Sequence, residues 1–268
     1  MDKKILVLDI DGTLTNSKKE VTAKTKAKID EIRAAGHTVM LASGRPTPGM
    51  FHIANALDFD KLGGYLLSYN GAKIIKYDTK EVIYQKTLEH QYIKELYDFA
   101  KKRNIGIISY DNDVIISGNG IDEFIEIESK INKLAVKEVD DFVGYINYPV
   151  NKCLITCEPK KAEEYVEYLA LKYEGKLSIY RSEPFFIEIM PLGIDKAASL
   201  EVMLPMIGFK REDCIACGDG YNDLTMIKWA GLGVAMANAQ DTVKSVADYI
   251  TLSNDEDGLI PVIDKFIL

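Results

Sequence analysis

Residues 5–15 read ILVLDIDGTLT, a short apolar run that ends in two aspartates, a glycine and a threonine. The run at 5–8 has the continuous apolar character of a buried parallel strand, and Asp9 and Asp11 follow at its carboxyl end. In open parallel sheets, ligands bind at the carboxyl ends of strands, close to the point where the strand order reverses. Two carboxylates there would repel each other, and a divalent cation would relieve that repulsion. Because Asp, Gly and Thr are also turn residues, this stretch alone leaves a metal site and a plain capped turn both open.

Helix and strand patterns alternate on either side of a long middle segment. After the first strand we predict a helix over 22–35, with Thr22 as its N-cap, and strands over 38–42 and 64–68. The alternation returns near the C-terminus, with predicted helices at 195–207, 222–230 and near 258–266, and predicted strands at 214–217 and 233–236. This order predicts an α/β fold, a Rossmann-like, doubly wound core in which helices cover both faces of a parallel sheet.

The middle segment has a different pattern. It contains a hairpin-like run at 74–86, predicted helices at 91–103 and 159–173, and predicted strands at 105–110, 113–118, 152–158 and 176–182. These elements indicate a separate α+β domain inserted into the core. We expect residues 1–82 and 186–268 to form the core and residues 83–185 to form the inserted domain.

The composition argues against several classes of protein. The chain has 268 residues, and its 33 Lys and Arg against 41 Asp and Glu give a net charge of −8. An acidic chain is a poor sequence-independent nucleic-acid binder, because phosphate backbones require clustered cations. Only three histidines are present, which disfavours a histidine-rich zinc site or a Ser-His-Asp hydrolase. Asp9 breaks the N-terminal apolar run before it reaches signal-peptide length, and no run approaches the roughly 20 residues of a membrane span. We therefore expect a cytoplasmic protein without a membrane partner.

The four cysteines form two close pairs, Cys153 with Cys157 and Cys214 with Cys217. Both pairs fall in predicted strands, where residues three apart point to opposite faces and residues four apart lie about 13 Å apart. Neither pair can chelate one metal ion or form a disulfide without breaking its strand. We expect buried structural thiols, in keeping with a reducing compartment.

The second predicted strand ends in LASGR at 41–45. The Ser43 hydroxyl and the backbone N–H groups beside Gly44 could bind an anion, and Arg45 could add positive charge. A strand-to-helix loop with a Ser cap would have the same residues.

A third polar group lies in CIACGDGYND at 214–223. Asp219 follows a predicted strand and Asp223 opens a helix, a spacing that lets both approach one ion while Asn222 faces an anion. Asp223 could equally be an ordinary carboxylate favoured by the helix dipole. Lys196 begins another predicted helix. A lone lysine is usually solvated, but this one offers the ammonium that a phosphate dianion needs.

The chain resembles the haloacid dehalogenase (HAD) superfamily in four motifs taken in order: LDIDGTLT at 8–15, LASGR at 41–45, Lys196 within GIDK, and GDGYNDLTMI at 218–227. The resemblance is greatest to the Cof-type phosphatase branch, with which SYNGA at 68–72 also agrees. It implies a HAD-like core with a C2-type α+β cap as the inserted domain.

The resemblance also implies a mechanism. Asp9 would be the nucleophile that forms an aspartyl-phosphate, and Asp11 would be the general acid for the leaving alkoxide and then the base for water. Mg²⁺ would be held by the Asp9 carboxylate, the Asp11 backbone carbonyl and the Asp219 carboxylate. Asp223 would orient these ligands from just outside the coordination shell.

The other motif residues would bind the phosphoryl group or the substrate. The implied phosphate-binding residues, with backbone N–H groups among their donors, are Ile10, Ser43, Gly44, Lys196 and Asn222. The implied substrate-side residues are Thr13, which would brace Asp11, together with Arg45 and Asn70.

The leading hypothesis is a magnesium-dependent phosphatase of small phosphorylated metabolites, with sugar phosphates as first candidates. A phosphomutase or phosphotransferase of the same chemistry is an alternative. A non-catalytic phosphoryl-binding regulator is another, although Asp11 and the cap-sized insertion favour turnover. The physiological substrate and the oligomeric state stay open.

Overall fold

The structure, a computed structural model, describes residues 3–268. It divides into two compact units, the first formed by the residues up to Tyr84 together with Asp195–Leu268 and the second by Gln85–Ile194. Within residues 3–268, no helix combines the length and the apolar character that crossing a bilayer requires.

The first part of the chain follows the predicted alternation closely. The Thr22 side chain caps the first helix by accepting the Thr25 N–H at 3.1 Å. The elements are β1 (Ile5–Asp9), α1 (Ala23–Ala34), β2 (Thr38–Ala42), α2 (Phe51–Ala56), α3 (Phe59–Leu62), β3 (Tyr65–Ser68), β4 (Lys73–Lys76) and β5 (Val82–Gln85).

The second unit has four helices and six strands among the described residues. They are α4 (His90–Arg103), β6 (Gly106–Asp111), β7 (Val114–Ser117), α5 (Glu123–Asn132), β8 (Ala135–Glu138), α6 (Phe142–Tyr145), β9 (Cys153–Thr156), α7 (Pro159–Lys172), β10 (Leu177–Glu183) and β11 (Phe186–Pro191).

The chain then returns to the first unit. Its last elements are α8 (Lys196–Met206), β12 (Cys214–Gly218), α9 (Leu224–Trp229), β13 (Leu232–Ala235), α10 (Asp241–Lys244), β14 (Tyr249–Ile250) and α11 (Leu259–Phe266). A 3₁₀ turn, Tyr221–Asp223, precedes α9, so the helix predicted from residue 222 begins two residues later.

The sheet of the first unit has the strand order β14-β13-β12-β1-β2-β3-β4-β5. Every pair from β14 to β3 is parallel, and β3 and β4 form an antiparallel hairpin. All five residues of β1 are buried, as expected for a strand covered on both faces. Leu6 packs in the layer that contains α1 and α11, and Val7 packs in the layer that contains α8 and α9. The first unit is therefore the doubly wound α/β core that the sequence predicts.

The sheet of the second unit has the order β10-β11-β9-β6-β7-β8 and is antiparallel except for the β7–β8 pair. Ile107, Ile155 and Ile187 face α4 and α7 in one hydrophobic cluster. This arrangement is the α+β architecture expected of the middle segment.

The first boundary of the inserted unit lies after Tyr84, two residues later than expected, and the second boundary differs more. We place that boundary between residues 185 and 186 from the sequence, whereas the second unit continues through Ile194. The reason is that β11 pairs with β9 and β10. The sequence FIEIMP is apolar enough for a buried strand in either sheet. Its pairing with other strands, which the sequence pattern does not show, therefore determines the unit to which it belongs.

The four cysteines are unbridged and buried, as predicted. Burial raises the pKa of the Cys214 thiol to about 12 and that of Cys157 to about 11. They are therefore protonated at neutral pH and unreactive as nucleophiles.

Candidate active site

Three strands of the first sheet end side by side at one edge. Asp9 is the last residue of β1, Ser43 follows β2 directly, and Asp219 follows β12 directly. Because β1 pairs in parallel with both β2 and β12, all three carboxyl ends lie at the same edge. The strand order reverses beside β1, so this edge is also the switch point at which open α/β sheets bind ligands.

Lys196 joins these strand ends. It is the first residue of α8, which the Asp195 side chain caps. Its side chain has no exposed surface. Its Nζ donates to Asp9 Oδ1 at 2.6 Å, to Asp223 Oδ1 at 2.5 Å and to the Ala42 carbonyl at 2.9 Å. The three N–H bonds of the ammonium are thus all used, which fixes the side chain.

The charges of this cluster are strongly coupled. Burial and the charge of Asp223 raise the pKa of Asp9 well above its usual value, although Lys196 opposes the shift. Burial would lower the pKa of Lys196, but the carboxylates of Asp223 and Asp9 outweigh it and raise that pKa. The pKa of Asp219 rises to about 6, chiefly through burial. Three carboxylates therefore share one ammonium, a surplus of negative charge that a bound cation would stabilise.

The carboxylates are close enough to hold one cation. Asp9, Asp219 and Asp223 each offer an oxygen within 4.8 Å of the others. Both oxygens of Asp223 are engaged, because Oδ1 binds Lys196 while Oδ2 accepts the N–H groups of Asp219 at 3.0 Å and Gly220 at 2.9 Å. No hydrogen bond from residues 3–268 reaches Asp9 Oδ2 or Asp219 Oδ2. Hard oxygen donors of this kind fit Mg²⁺.

Gly12 and Thr13 support Asp219 from the loop after β1. Thr13 Oγ1 donates to Asp219 Oδ1 at 2.8 Å, so the prediction that Thr13 braces Asp11 is wrong in its partner. Gly12 has a φ of +87°, and a Cβ at that position would lie 2.3 Å from Asp219 Oδ2. Glycine alone satisfies both the backbone conformation and the close approach.

Asp11 faces two cations rather than the acidic cluster. Arg45 donates to both carboxylate oxygens, from Nε to Oδ2 at 2.8 Å and from Nη2 to Oδ1 at 2.8 Å. Lys19 Nζ donates to Oδ1 at 2.9 Å. Burial acts to raise the pKa of Asp11, but the hydrogen bonds and charges of Arg45 and Lys19 outweigh it and lower that pKa. Asp11 is therefore ionised at neutral pH in this arrangement.

The polar groups near the end of β2 differ in what they can offer a ligand. The Ser43 N–H donates to the Leu67 carbonyl at 2.8 Å within the sheet, so the hydroxyl is the Ser43 group that can reach an anion. That hydroxyl accepts the Arg45 N–H at 3.2 Å. Ile10 has a fully buried side chain, so it can contribute only through its backbone.

Asn70 and Asn222 meet beside Gly44. Asn222 Nδ2 donates to Asn70 Oδ1 at 3.3 Å, and a Cβ on Gly44 would lie 3.2 Å from the Asn70 amide. Tyr69 and Asn70 both have left-handed backbone, with φ of 52° and 51°. Such strain in non-glycine residues is common where a site needs a fixed side chain. The Asn70 N–H donates to the Ser43 carbonyl at 3.0 Å, which ties the end of β3 to the end of β2.

Asn238 lies outside the four ordered motifs, and it supports the loop after β1. Its Nδ2 donates to the Gly12 carbonyl at 2.8 Å, and its Oδ1 accepts the Asn254 N–H at 3.0 Å. Asn238 lies three residues after the end of β13. A polar side chain just after a parallel strand is the sequence feature that indicates such a role. Asn238 holds the loop that carries Gly12 in place.

Comparisons with known proteins identify the family of this chain. Residues 6–263 match the family model for haloacid dehalogenase-like hydrolases. The 5-amino-6-(5-phospho-D-ribitylamino)uracil phosphatase YcsE of Bacillus subtilis (strain 168) is 32% identical over 269 residues, which cover 100% of this chain and 97% of YcsE.

Solved structures give the same result. A haloacid dehalogenase-like hydrolase from Bacteroides thetaiotaomicron is 46% identical, with a TM-score of 0.94 and coverage of 98% of this chain and 99% of that one. The HAD subclass IIB sugar phosphatase BT4131 is 25% identical, with a TM-score of 0.82 and coverage of 98% and 99%. These similarities confirm the resemblance and the fold class that the motifs predict.

Proposed function

Since the chain belongs to the haloacid dehalogenase-like hydrolase family and is an enzyme of its phosphatase type, we propose that it is a magnesium-dependent phosphatase of small phosphorylated metabolites. The proposed route is an aspartyl-phosphate on Asp9. The observation that carries the proposal is the buried Lys196 ammonium, which bridges Asp9 and Asp223 beside Asp219 at the switch point of the sheet.

In the first step, a carboxylate oxygen of Asp9 forms a bond to phosphorus while the bond from phosphorus to the leaving oxygen breaks. Lys196 fixes the Asp9 carboxylate through its 2.6 Å hydrogen bond, so the nucleophile is held in one orientation. Asp11 enters this step in its protonated form, which the bound anionic substrate would favour over the ionised form that Arg45 and Lys19 favour. It gives its proton to the leaving oxygen and becomes a carboxylate. The alcohol then departs.

In the second step, water attacks the phosphorus of the aspartyl-phosphate. The Asp11 carboxylate takes a proton from this water, and the bond between phosphorus and the Asp9 oxygen breaks. Asp9 is then an ionised carboxylate again and Asp11 is protonated, so both residues return to their starting states. Inorganic phosphate is the second product.

The phosphoryl oxygens would be bound by the Ser43 hydroxyl, the backbone beside Gly44 and Ile10, and Asn222. The Lys196 ammonium, whose three N–H bonds go to Asp9, Asp223 and Ala42, would attract the phosphoryl group through its charge. These donors stabilise charge as it moves to the equatorial oxygens in the loose transition state. Asp9 and Asp219 would hold Mg²⁺ with the Asp11 backbone carbonyl, and Asp223 would keep the Asp219–Gly220 backbone in place. When bound, the ion supplies positive charge against the carboxylates and the phosphoryl group.

Sugar phosphates are the first substrate candidates. BT4131 is a sugar phosphatase, and YcsE is a phosphatase of a phosphorylated ribityl compound. A sugar and a ribityl group are both polyhydroxylated, so we propose a polyhydroxylated phosphomonoester as the substrate of this chain. We further propose that the second unit, Gln85–Ile194, is the cap domain that selects among such substrates.

A phosphate-release screen tests the proposed function. Sugar phosphates, nucleotides, pyridoxal phosphate and flavin mononucleotide would be incubated with the protein, with Mg²⁺ and with a chelator. We expect release from at least one sugar phosphate with Mg²⁺, and none from Asp9→Asn. Full activity of Asp9→Asn, or of the chelated enzyme, would contradict the mechanism, and phosphoryl transfer to a sugar in place of water would identify a phosphotransferase.

The intermediate can be located directly. Borohydride reduces an aspartyl-phosphate to homoserine, which peptide mass spectrometry recognises by its mass. We expect homoserine at position 9 after quenching during turnover. Modification at another carboxylate would show that Asp9 is not the nucleophile.

A further inference from the structure

Arg45 pairs with Asp11 at the end of β2. The sequence places it on the substrate side, yet its guanidinium forms two parallel hydrogen bonds with the Asp11 carboxylate, both at 2.8 Å. Such a bidentate pair fixes direction as well as distance, because the planar fork of Arg matches the two carboxylate oxygens. The Arg45 side chain is only 10% exposed, whereas that of Lys19, the other cation on Asp11, is 63% exposed.

Arg45 is itself held on several sides. Its backbone N–H donates to Ser43 Oγ at 3.2 Å, and its carbonyl accepts the Tyr69 N–H at 2.9 Å. Its Nη1 approaches the Gly49 carbonyl at 3.5 Å. The backbone of Arg45 is therefore anchored to the ends of β2 and β3, and its guanidinium extends from that fixed point past the Gly49 carbonyl.

The Asp11 backbone is fixed separately. The loop after β1 folds back so that the Leu14 N–H donates to the Asp9 carbonyl at 3.2 Å and the Thr15 N–H donates to the Ile10 carbonyl at 2.9 Å. With the backbone held in this way, the side-chain torsions of Asp11 are the remaining freedom, and Arg45 removes it. If the group that transfers the proton is mobile, the catalytic rate falls, because proton transfer requires the donor and acceptor atoms to lie within hydrogen-bond distance.

We propose that Arg45 is a positioning residue that acts on catalysis through Asp11, by holding its carboxyl group in the orientation for proton transfer, and not as a ligand of the substrate phosphate. The inference rests on the proposed function, since it assigns Asp11 the proton transfers described above. It makes Arg45 a determinant of which leaving groups the enzyme can expel.

The test compares two leaving groups in Arg45→Gln. One substrate is the sugar phosphate hydrolysed fastest in the release screen, whose alkoxide needs a proton to leave. The other is p-nitrophenyl phosphate, whose weakly basic phenolate leaves without one. The measured quantity is kcat/KM, because it reports only the steps up to departure of the alcohol and excludes the later hydrolysis that both substrates share.

We expect Arg45→Gln to lower kcat/KM for the sugar phosphate by about 10–100-fold, a part of what general acid catalysis commonly contributes. For p-nitrophenyl phosphate the loss should stay within about threefold, because no proton transfer is lost. Arg211→Gln is the matched control. Arg211 is exposed and lies just before β12, at the end of that strand opposite to Asp219, where its side chain donates to the Trp229 carbonyl. Arg211→Gln should therefore match the parent on both substrates.

A double-mutant cycle separates positioning from substrate binding. If Arg45 acts through Asp11, then Arg45→Gln should cause little further loss of kcat/KM in an Asp11→Asn background. Additive losses, or equal losses on both substrates with a raised KM, would place Arg45 on the phosphate and overturn the inference. Arg45→Lys keeps the charge without the fork, so full recovery of sugar phosphate turnover in that variant would also overturn it.

The two levels of proposal fail in different ways. A parent enzyme that releases phosphate from neither substrate would overturn the proposed function, and this inference with it. The parent enzyme could instead be active on both substrates, while Arg45→Gln and a correctly folded Arg45→Lys lose kcat/KM equally on the two. That result would overturn this inference alone. Circular dichroism and thermal melting of each variant identify losses that come from unfolding.

Discussion

Lys196 Nζ lies 2.5 Å from Asp223 Oδ1, and neither side chain has exposed surface. The same ammonium reaches Asp9 Oδ1 at 2.6 Å. Removing one partner of a buried ion pair is strongly destabilising, because the other charge is left without compensation in a poorly solvated place. Lys196 has two such partners, so it stabilises the fold as well as the site.

Lys196→Met should therefore lower the free energy of unfolding by about 3–5 kcal/mol and abolish phosphate release. Urea unfolding, followed by circular dichroism, measures the loss of stability. Lys26→Met is the matched control, since Lys26 also pairs with two carboxylates, at 2.8 and 2.7 Å, but is 33% exposed. That variant should lose about 0–1 kcal/mol. Equal losses in the two variants would show that the buried bridge adds little to stability.

Gly12→Ala should abolish activity and weaken Mg²⁺ binding, because the new Cβ would lie 2.3 Å from Asp219 Oδ2. Isothermal titration calorimetry measures the binding. Gly36→Ala is the control, since Gly36 has a φ of +91° but nothing within 4 Å of a Cβ. It should incur only the backbone strain of roughly 1–2 kcal/mol and keep its Mg²⁺ affinity. Unchanged affinity in Gly12→Ala would mean that Asp219 can move away without loss.

Much of the core could be predicted because its signals are local. The run at 5–8, the Thr22 cap and the polar residues at strand ends are all readable over a few residues, and β1, α1 and β2 lie where these signals place them. The convergence of Asp9, Ser43 and Asp219 follows from strand polarity once a parallel sheet is accepted.

The rest depends on contacts between distant residues. β11 follows Pro184 and Phe185 and reads as an apolar strand, but its pairing with β9 is a tertiary choice. The partner of Arg45 is 34 residues away along the chain, and that of Thr13 is 206 residues away. A sequence motif identifies residues such as Arg45 and Thr13, but it does not show which atoms their side chains contact.

Asp223→Asn tests how the loop after β12 is held. Asp223 Oδ2 accepts the N–H groups of Asp219 and Gly220 while Oδ1 accepts from Lys196. The NH₂ group of an Asn must face donors, either the Lys196 ammonium or the N–H groups of Asp219 and Gly220, so one set of hydrogen bonds is lost. We expect the affinity for Mg²⁺ to fall by about 10–100-fold, as is typical when the support of a metal ligand is lost. Asp195→Asn is the control, because Asn caps a helix as well as Asp does. If both variants bind Mg²⁺ like the parent, the carboxylate of Asp223 is not needed to hold the loop.

The pH dependence of stability should reveal the charge of Asp219. Its pKa is about 6 in the folded protein, chiefly through burial, against about 3.9 in an unfolded chain. The folded state therefore binds this proton more tightly, and the resulting stability is fully present below about pH 4 and lost as the pH rises through about 6. Asp219→Asn removes this titration, so without metal the variant should gain melting temperature relative to the parent between about pH 5 and pH 7.

Adding Mg²⁺ completes the test. At pH 7 the ion should raise the melting temperature of the parent, because it binds the ionised Asp219, and it should raise that of Asp219→Asn much less. At about pH 5 the gain of the parent should shrink, since protons compete for the same oxygens. Thr13→Val is a useful companion, because loss of the 2.8 Å hydrogen bond to Asp219 Oδ1 should raise the pKa of Asp219 and move the whole effect to higher pH. A difference between parent and Asp219→Asn that does not change with pH would show that Asp219 titrates near its usual value in the folded protein.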